Sequence, residues 1–179
     1  MYSSLDKACN ILNQNYSHVL EFGVYKGGTI RFLRKKLSEK YKIFGFDSFI
    51  GLPEDWTGTP CIKGEFNADG IIPYIENVSF FKGWFNETLP QYLNIAEPIA
   101  LLHIDCDLYS STKTILYSLK NYINPGTVIV FDEWYYNFKD INENRQHEQK
   151  AFLEWSIEYN INYRLLEEIE IEKRIIIIN

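Results

Sequence analysis

The stretches HIDCDLYSST (His103–Thr112) and VIVFDEW (Val128–Trp134) decide how this chain is read. Each belongs to an apolar run that stops at carboxylates: Asp105 and Asp107 in the first, Asp132 and Glu133 in the second. Buried parallel strands whose carboxyl ends open into a site have this pattern. The segment between them, Tyr109–Tyr122, is amphipathic and long enough for a crossover helix. As sheet neighbours the two strands lie about 5 Å apart, so Asp105, Asp132 and Glu133 can converge on one small volume. Three carboxylates there repel one another unless a cation joins them. A hard, oxygen-seeking divalent ion such as Mg²⁺ meets that need. The alternative is that these acids cap helices or meet surface bases. Two such endings in register across one strand–helix–strand unit bring the metal reading level with it.

Working outward, Val19–Val24 reads as the first strand and runs into a glycine-rich turn, and Thr29–Leu37 as a helix with a basic outer face. Lys42–Phe46 is the second strand, ending at Asp47. An irregular section, Ser48–Ile71, follows, and loops of that length are usually functional or mobile. Val78–Phe81, Glu87–Leu93 and Ile99–Ile104 read as strand, helix and strand, and Thr127–Phe131 as the fifth strand. His147–Tyr159 is a helix, and Tyr163–Ile178 a hairpin turning near Glu172 and Lys173. Leu5–Asn15 is a leading helix within residues 1–18. This order predicts one α/β domain over residues 1–179, with helices on both faces of a seven-stranded, mostly parallel sheet and an antiparallel last strand.

Composition fits that class. The chain has 179 residues, 46% apolar and 23% charged, enough for one domain with a full core. A net charge of −6 argues against a nucleic-acid partner. No run approaches the roughly 18 apolar residues of a membrane helix, and the N-terminus lacks a signal-peptide layout. Cys9, Cys61 and Cys106 have no metal-site spacing and read as reduced thiols of a cytoplasmic protein. Most of the abundant aromatics read as core.

LEFGVYKGGT (Leu20–Thr29) places glycines at 23, 27 and 28 between a strand and a helix, where a ligand can approach the backbone. It matches neither a dinucleotide fingerprint nor a P-loop. Glu21 suits an amino group or sulfonium better than a phosphate, and Asp47 stands where an acid can hold ribose hydroxyls. Both acids could equally be structural.

Together with FDSFIGLPE (Phe46–Glu54), VSFFKGWFNETLP (Val78–Pro90) and PGTVIVFDEW (Pro125–Trp134), these motifs resemble the class I S-adenosylmethionine (SAM) methyltransferases, and more narrowly the macrocin O-methyltransferase family. The resemblance spans residues 20–134. It implies the Rossmann-like methyltransferase sandwich and a SAM- and Mg²⁺-dependent O-methyltransferase acting on a sugar or vicinal diol, borne on a small molecule or glycan. It assigns Glu21, Gly23 and Thr29 to the methionine end of SAM, Asp47 and Ser48 to the ribose, and Gly83 and Trp84 to the adenine. It makes Asp105, Asp132 and Glu133 metal ligands, with Glu133 standing where the family has an aspartate, and Asp107 the general base.

Other readings stay open at this point. Asp107 can instead cap the helix that follows it. His103 reads as a satisfied core residue and His147 as a surface one. A catechol-type enzyme would add a base such as Lys113 or Lys139. A catalytically silent SAM-fold partner and a nucleotide-sugar or NAD-binding protein are the other rivals. The segment before the first strand is shorter than in the resembling enzymes, so Ser48–Ile71 is expected to act as a partial lid or to leave the site open. The oligomeric state is undecided, with a homodimer among the options.

Overall fold

Apolar runs of four to six residues separated by polar, glycine-bearing turns form the parallel strands. The computed structural model describes residues 2–135, 147–166 and 172–179. Strands β1 (His18–Phe22), β2 (Lys42–Asp47), β3 (Val78–Lys82), β4 (Ile99–Ile104) and β5 (Val128–Phe131) pair in parallel. Strands β6 (Tyr163–Leu165) and β7 (Arg174–Ile178) complete the sheet in the order β3-β2-β1-β4-β5-β7-β6. Strand β7 runs antiparallel to both neighbours, as the expected closing hairpin requires. The order reverses between β1 and β4, and in open α/β sheets ligands bind beyond the carboxyl ends at that point.

Alternation of side chains divides the core in two. On one face Val19, Leu101, Val128 and Val130 pack under α1 (Ser3–Cys9) and α2 (Gly28–Lys36). On the other, Leu20, Leu102, Ile104 and Ile129 pack under α3 (Phe85–Tyr92), α4 (Tyr109–Leu119) and α5 (Glu148–Glu158). Much of the aromatic content lies on that second face. Phe22, Phe46 and Phe81 are in register on β1, β2 and β3, and stack with ring centroids 4.4 and 4.9 Å apart.

The leading helix ends at Cys9, short of the expected Asn15. Asparagine side chains offer the backbone alternatives to helix, and the Asn15 N–H donates to Asn13 Oδ1 at 3.0 Å. Helix α3 starts at Phe85, two residues before the expected Glu87, because the Trp84 carbonyl already accepts from Glu87 and Thr88. Cys9, Cys61 and Cys106 are free thiols. No helix among the described residues is long and apolar enough to cross a membrane.

Candidate active site

Register alone assembles the acids. Glu21 on β1 pairs with His103 on β4, and His103 with Val130 on β5. Two residues further along each strand, on the same face, stand Gly23, Asp105 and Asp132. The ladder continues into this row, where the Asp105 N–H donates to the Phe22 carbonyl and the Asp132 N–H to the Ile104 carbonyl, both at 2.9 Å. Gly23 (φ +91°) is needed there, since a Cβ would fall 1.7 Å from the Asp105 carbonyl oxygen. Ligand atoms of His103, Asp105 and Asp132 lie within 4.8 Å of one another.

The charges at this row are unbalanced. Fully buried His103 meets Glu21 Oε2 through Nδ1 at 3.2 Å and faces Asp132 Oδ1 from Nε2 at 3.5 Å. Against the desolvation it suffers, these two carboxylates hold the imidazole well into its charged range. Asp132 in turn is held low by His103 and by Lys173, whose Nζ donates to its Oδ1, in spite of burial. Among the described residues, Asp105, Asp107 and Glu133 have no cationic hydrogen-bond partner. Burial, then repulsion from Asp132, pushes Asp105 far up. The same causes bring Asp107 up to about 7, and Glu133 up to about 8 with Asp107 adding to the repulsion. Glu133 Oε2 is buried without a hydrogen-bond partner. Of the three expected ligands the structure groups Asp105 and Asp132, with His103 in the place expected for Glu133; the two carboxylates suit a hard divalent cation. His103 belongs to the same cluster, and its Nε2 is buried with no hydrogen-bond partner among the described residues.

A cavity of about 820 Å³ opens beyond the strand ends, within the size range of ligand pockets, about 300–1,000 Å³. Its walls follow the sheet order: Trp84 after β3, Asp47 and Ser48 after β2, Gly23 and Thr29 after β1, Asp105 and Asp107 after β4, Glu133 after β5. Three expected site residues do not line it. Glu21 is turned across β1 onto His103. Gly83 lies behind Trp84, its N–H on the Asp47 carbonyl. Asp132 sits behind Glu133, between His103 and Lys173. The Asp47 carboxylate accepts from the Val24, Tyr25 and Phe49 N–H groups, each at 2.7 Å, pinning the glycine turn to the start of the long loop.

Asp107 is not the cap of α4; Leu108 holds that position, and no side chain caps it. Asp107 instead has φ +64°, spanned by a 2.6 Å bond from the Leu108 N–H to the Cys106 carbonyl. A left-handed aspartate in so tight a turn is a strained arrangement of the kind found at functional sites. Lys113 donates to Tyr109 and Glu154 on the outer surface of α4 and α5, and Lys139 lies outside the described residues.

The long loop folds back on itself. Leu52 and Gly64–Glu65 exchange backbone bonds, and Trp56 N–H meets the Cys61 carbonyl. Trp56 packs with Leu52 and Leu108, and both tryptophan and Leu52 line the cavity. Ser110 donates to Glu54 at 2.5 Å, and His147 Nε2 to the Thr57 carbonyl at 3.0 Å, so the loop is fastened to α4 and to the start of α5. Sequence reasoning missed Trp56, Lys173 and Glu148, whose partners are distant in the chain. The His103–Asp105 spacing of two, by contrast, already put that histidine on the acids' face.

Known proteins resemble this chain in sequence and in fold. The macrocin O-methyltransferase (TylF) family profile matches residues 62–152. A curated relative in Streptomyces olivaceus, 8-demethyl-8-(2,3-dimethoxy-alpha-L-rhamnosyl)-tetracenomycin-C 4'-O-methyltransferase, is 27% identical over 143 residues, covering 65% of this chain and 52% of that protein. The chain spans about half the length of the curated relatives it matches. Among solved structures, the calicheamicin methyltransferase CalS11 superposes with a TM-score of 0.75 at 24% identity, over 98% of this chain and 77% of its own. MycE methyltransferase from the mycinamycin pathway, in complex with Mg and SAH, gives 0.62 at 17% identity, over 99% and 49%. These likenesses establish the class I Rossmann-like methyltransferase fold.

Proposed function

The chain belongs to the macrocin O-methyltransferase family, and we propose that it moves a methyl group from SAM to a sugar hydroxyl with a divalent metal at its acids. One observation carries this reading: a single cavity joins the glycine turn, Asp47 and Trp84 on one side to Asp105, Asp107 and Glu133 on the other. The first group suits a nucleoside with a charged tail, the second an oxygen that must lose a proton. We read residues 1–179 as one catalytic domain, and its free thiols fit a cytosolic location.

Trp84 offers a ring to the adenine, and Ser48 lies beside Asp47, which keeps acceptor capacity for the ribose beyond its three backbone bonds. Gly23 and Thr29 border the methionine end, whereas Glu21 acts at one remove through His103. Asp105, Asp132 and Glu133 would hold the metal; the longer Glu133 carboxylate stands where its orphaned oxygen can reach the cavity. When bound, SAM supplies an electrophilic methyl and the divalent ion supplies positive charge for the acceptor oxygen. Asp107 takes up the hydroxyl proton, its pKa near 7 matching that task. The loop wall of Leu52 and Trp56 covers part of the acceptor side and excludes water, as a partial lid would.

The acceptor class is supported by the relative whose name gives a rhamnosyl-bearing substrate. The test is conversion of SAM to S-adenosylhomocysteine with deoxysugar glycosides bearing vicinal hydroxyls, with Mg²⁺ or with chelator. Turnover that needs both sugar and metal is expected. Turnover with a catechol alone, or no dependence on the metal, would overturn the sugar or the metal part respectively.

A further inference from the structure

Glu148, the first residue of α5, buries its carboxyl completely. One oxygen, Oε1, accepts from the Cys106 N–H at 3.3 Å; the other, Oε2, accepts from the Glu133 N–H at 3.1 Å. Cys106 lies between Asp105 and Asp107, and Glu133 follows Asp132. A side chain from a third element therefore grips one peptide in each acid-bearing turn. Both peptides lie beyond the last ladder bonds, Asp105 to Phe22 and Asp132 to Ile104, where the sheet no longer sets the spacing.

The residue type is informative. A fifth acid beside Asp105, Asp107, Asp132 and Glu133 adds repulsion to a crowded site, so simple packing would favour a neutral side chain. A glutamine, however, has one acceptor oxygen, whereas two N–H groups need two. A carboxyl group presents a separate oxygen to each, as seen here. The neighbouring His147 bonds the Thr57 carbonyl, so the same helix start is also anchored to the long loop.

We propose that Glu148 is a positioning residue, a two-armed clasp that fixes the separation of the two acid-bearing turns and thereby sets the metal affinity of the site. This rests on the metal reading above. It predicts that Glu148→Gln, which keeps the volume but turns one acceptor into a donor, weakens Mn²⁺ binding while leaving SAM binding in place. Mn²⁺ and SAM are titrated separately into wild type and variant. A loss of Mn²⁺ affinity of about tenfold or more, with SAM affinity held within about twofold, is the expected result, since groups that orient metal ligands are typically worth that much. Unchanged Mn²⁺ affinity in the folded variant, or equal loss of both ligands, would overturn the proposal.

Hydrogen exchange in the metal-free wild type supplies a check that needs no variant. The Cys106 and Glu133 amides should be protected, and unprotected exchange at both would refute the clasp even if Glu148→Gln failed to fold. A wild type that binds no Mn²⁺ would instead remove the metal reading, and with it the metal role of the clasp, whatever the amides show.

Discussion

Two histidines are buried to the same depth at opposite ends of this sheet, and they do opposite things. His18, at the amino end of β1, is 1% exposed; its Nδ1 pairs with the Tyr92 hydroxyl at 2.7 Å. Burial lowers its pKa, because its acidic neighbour Glu97 is 3.6 Å away, half exposed and shared with Lys42 and Ser17. His103, near the carboxyl end of β4, is equally buried but lies between Glu21 and Asp132, and stays charged. Depth does not decide the state of a buried imidazole here; the partners do. At the amino end the partners leave His18 neutral, whereas at the carboxyl end acids are crowded together, a setting suited to cationic ligands.

The sharpest contrast lies in chemistry that only the carboxyl end can perform. Asp107→Asn should lower kcat by about 10²–10⁴, the usual worth of a general base. If Asp107 is the base, the substitution should also remove the rising limb of the kcat/KM pH profile, because a general base must be unprotonated to act. A limb that survives the substitution would assign the proton to another group.

Next comes stability. Removing His103 leaves Glu21 and Asp132 without their shared cation, so His103→Ala should cost about 3–5 kcal/mol in chemical denaturation. Removing His18 strands only a tyrosine hydroxyl, so His18→Ala should cost about 1–3 kcal/mol beyond the packing lost. Equal costs at the two ends would break the comparison.

The pH dependence of His18 has a definite sign. Its folded pKa lies below the usual 6.5, so the unfolded chain binds more protons in that window. Its contribution is whole above about pH 6.5 and is lost as pH falls toward the depressed value. His18→Phe should flatten that part of the stability curve, and an unchanged curve would place the slope elsewhere. A smaller effect is expected at the loop: Trp56→Ala should raise the acceptor KM more than it lowers kcat, since Trp56 lines the cavity from the loop side.

What could be read in advance follows from what the sequence encodes locally. Apolar runs ending at Asp105 and Asp132 marked the strands, their direction and the site, because burial on both faces and charge at one end leave few other arrangements. The spacing of two between His103 and Asp105 was visible, but its meaning needed the register that sets Glu21 beside it. Glu148 looked like an ordinary acid in a helix's first turn, and its backbone partners at 106 and 133 leave no pattern of side chains. Lys173 reached Asp132 only through the β5–β7 pairing. Glu21 reads toward the ligand from the glycine turn beside it, whereas in the fold its register partner on β4, His103, engages its carboxylate.

The proposed function divides labour along one cavity: SAM on the glycine and Asp47 side, acceptor and metal on the Asp105 side. The most direct test is calorimetric titration of SAM into wild type and Asp105→Ala, with Mg²⁺ and with chelator, alongside turnover on a sugar acceptor. The expected result is closely similar SAM binding in all four titrations, with metal-dependent turnover lost only in the variant. SAM binding that vanishes in a folded Asp105→Ala protein, or turnover that persists in it, would contradict the division.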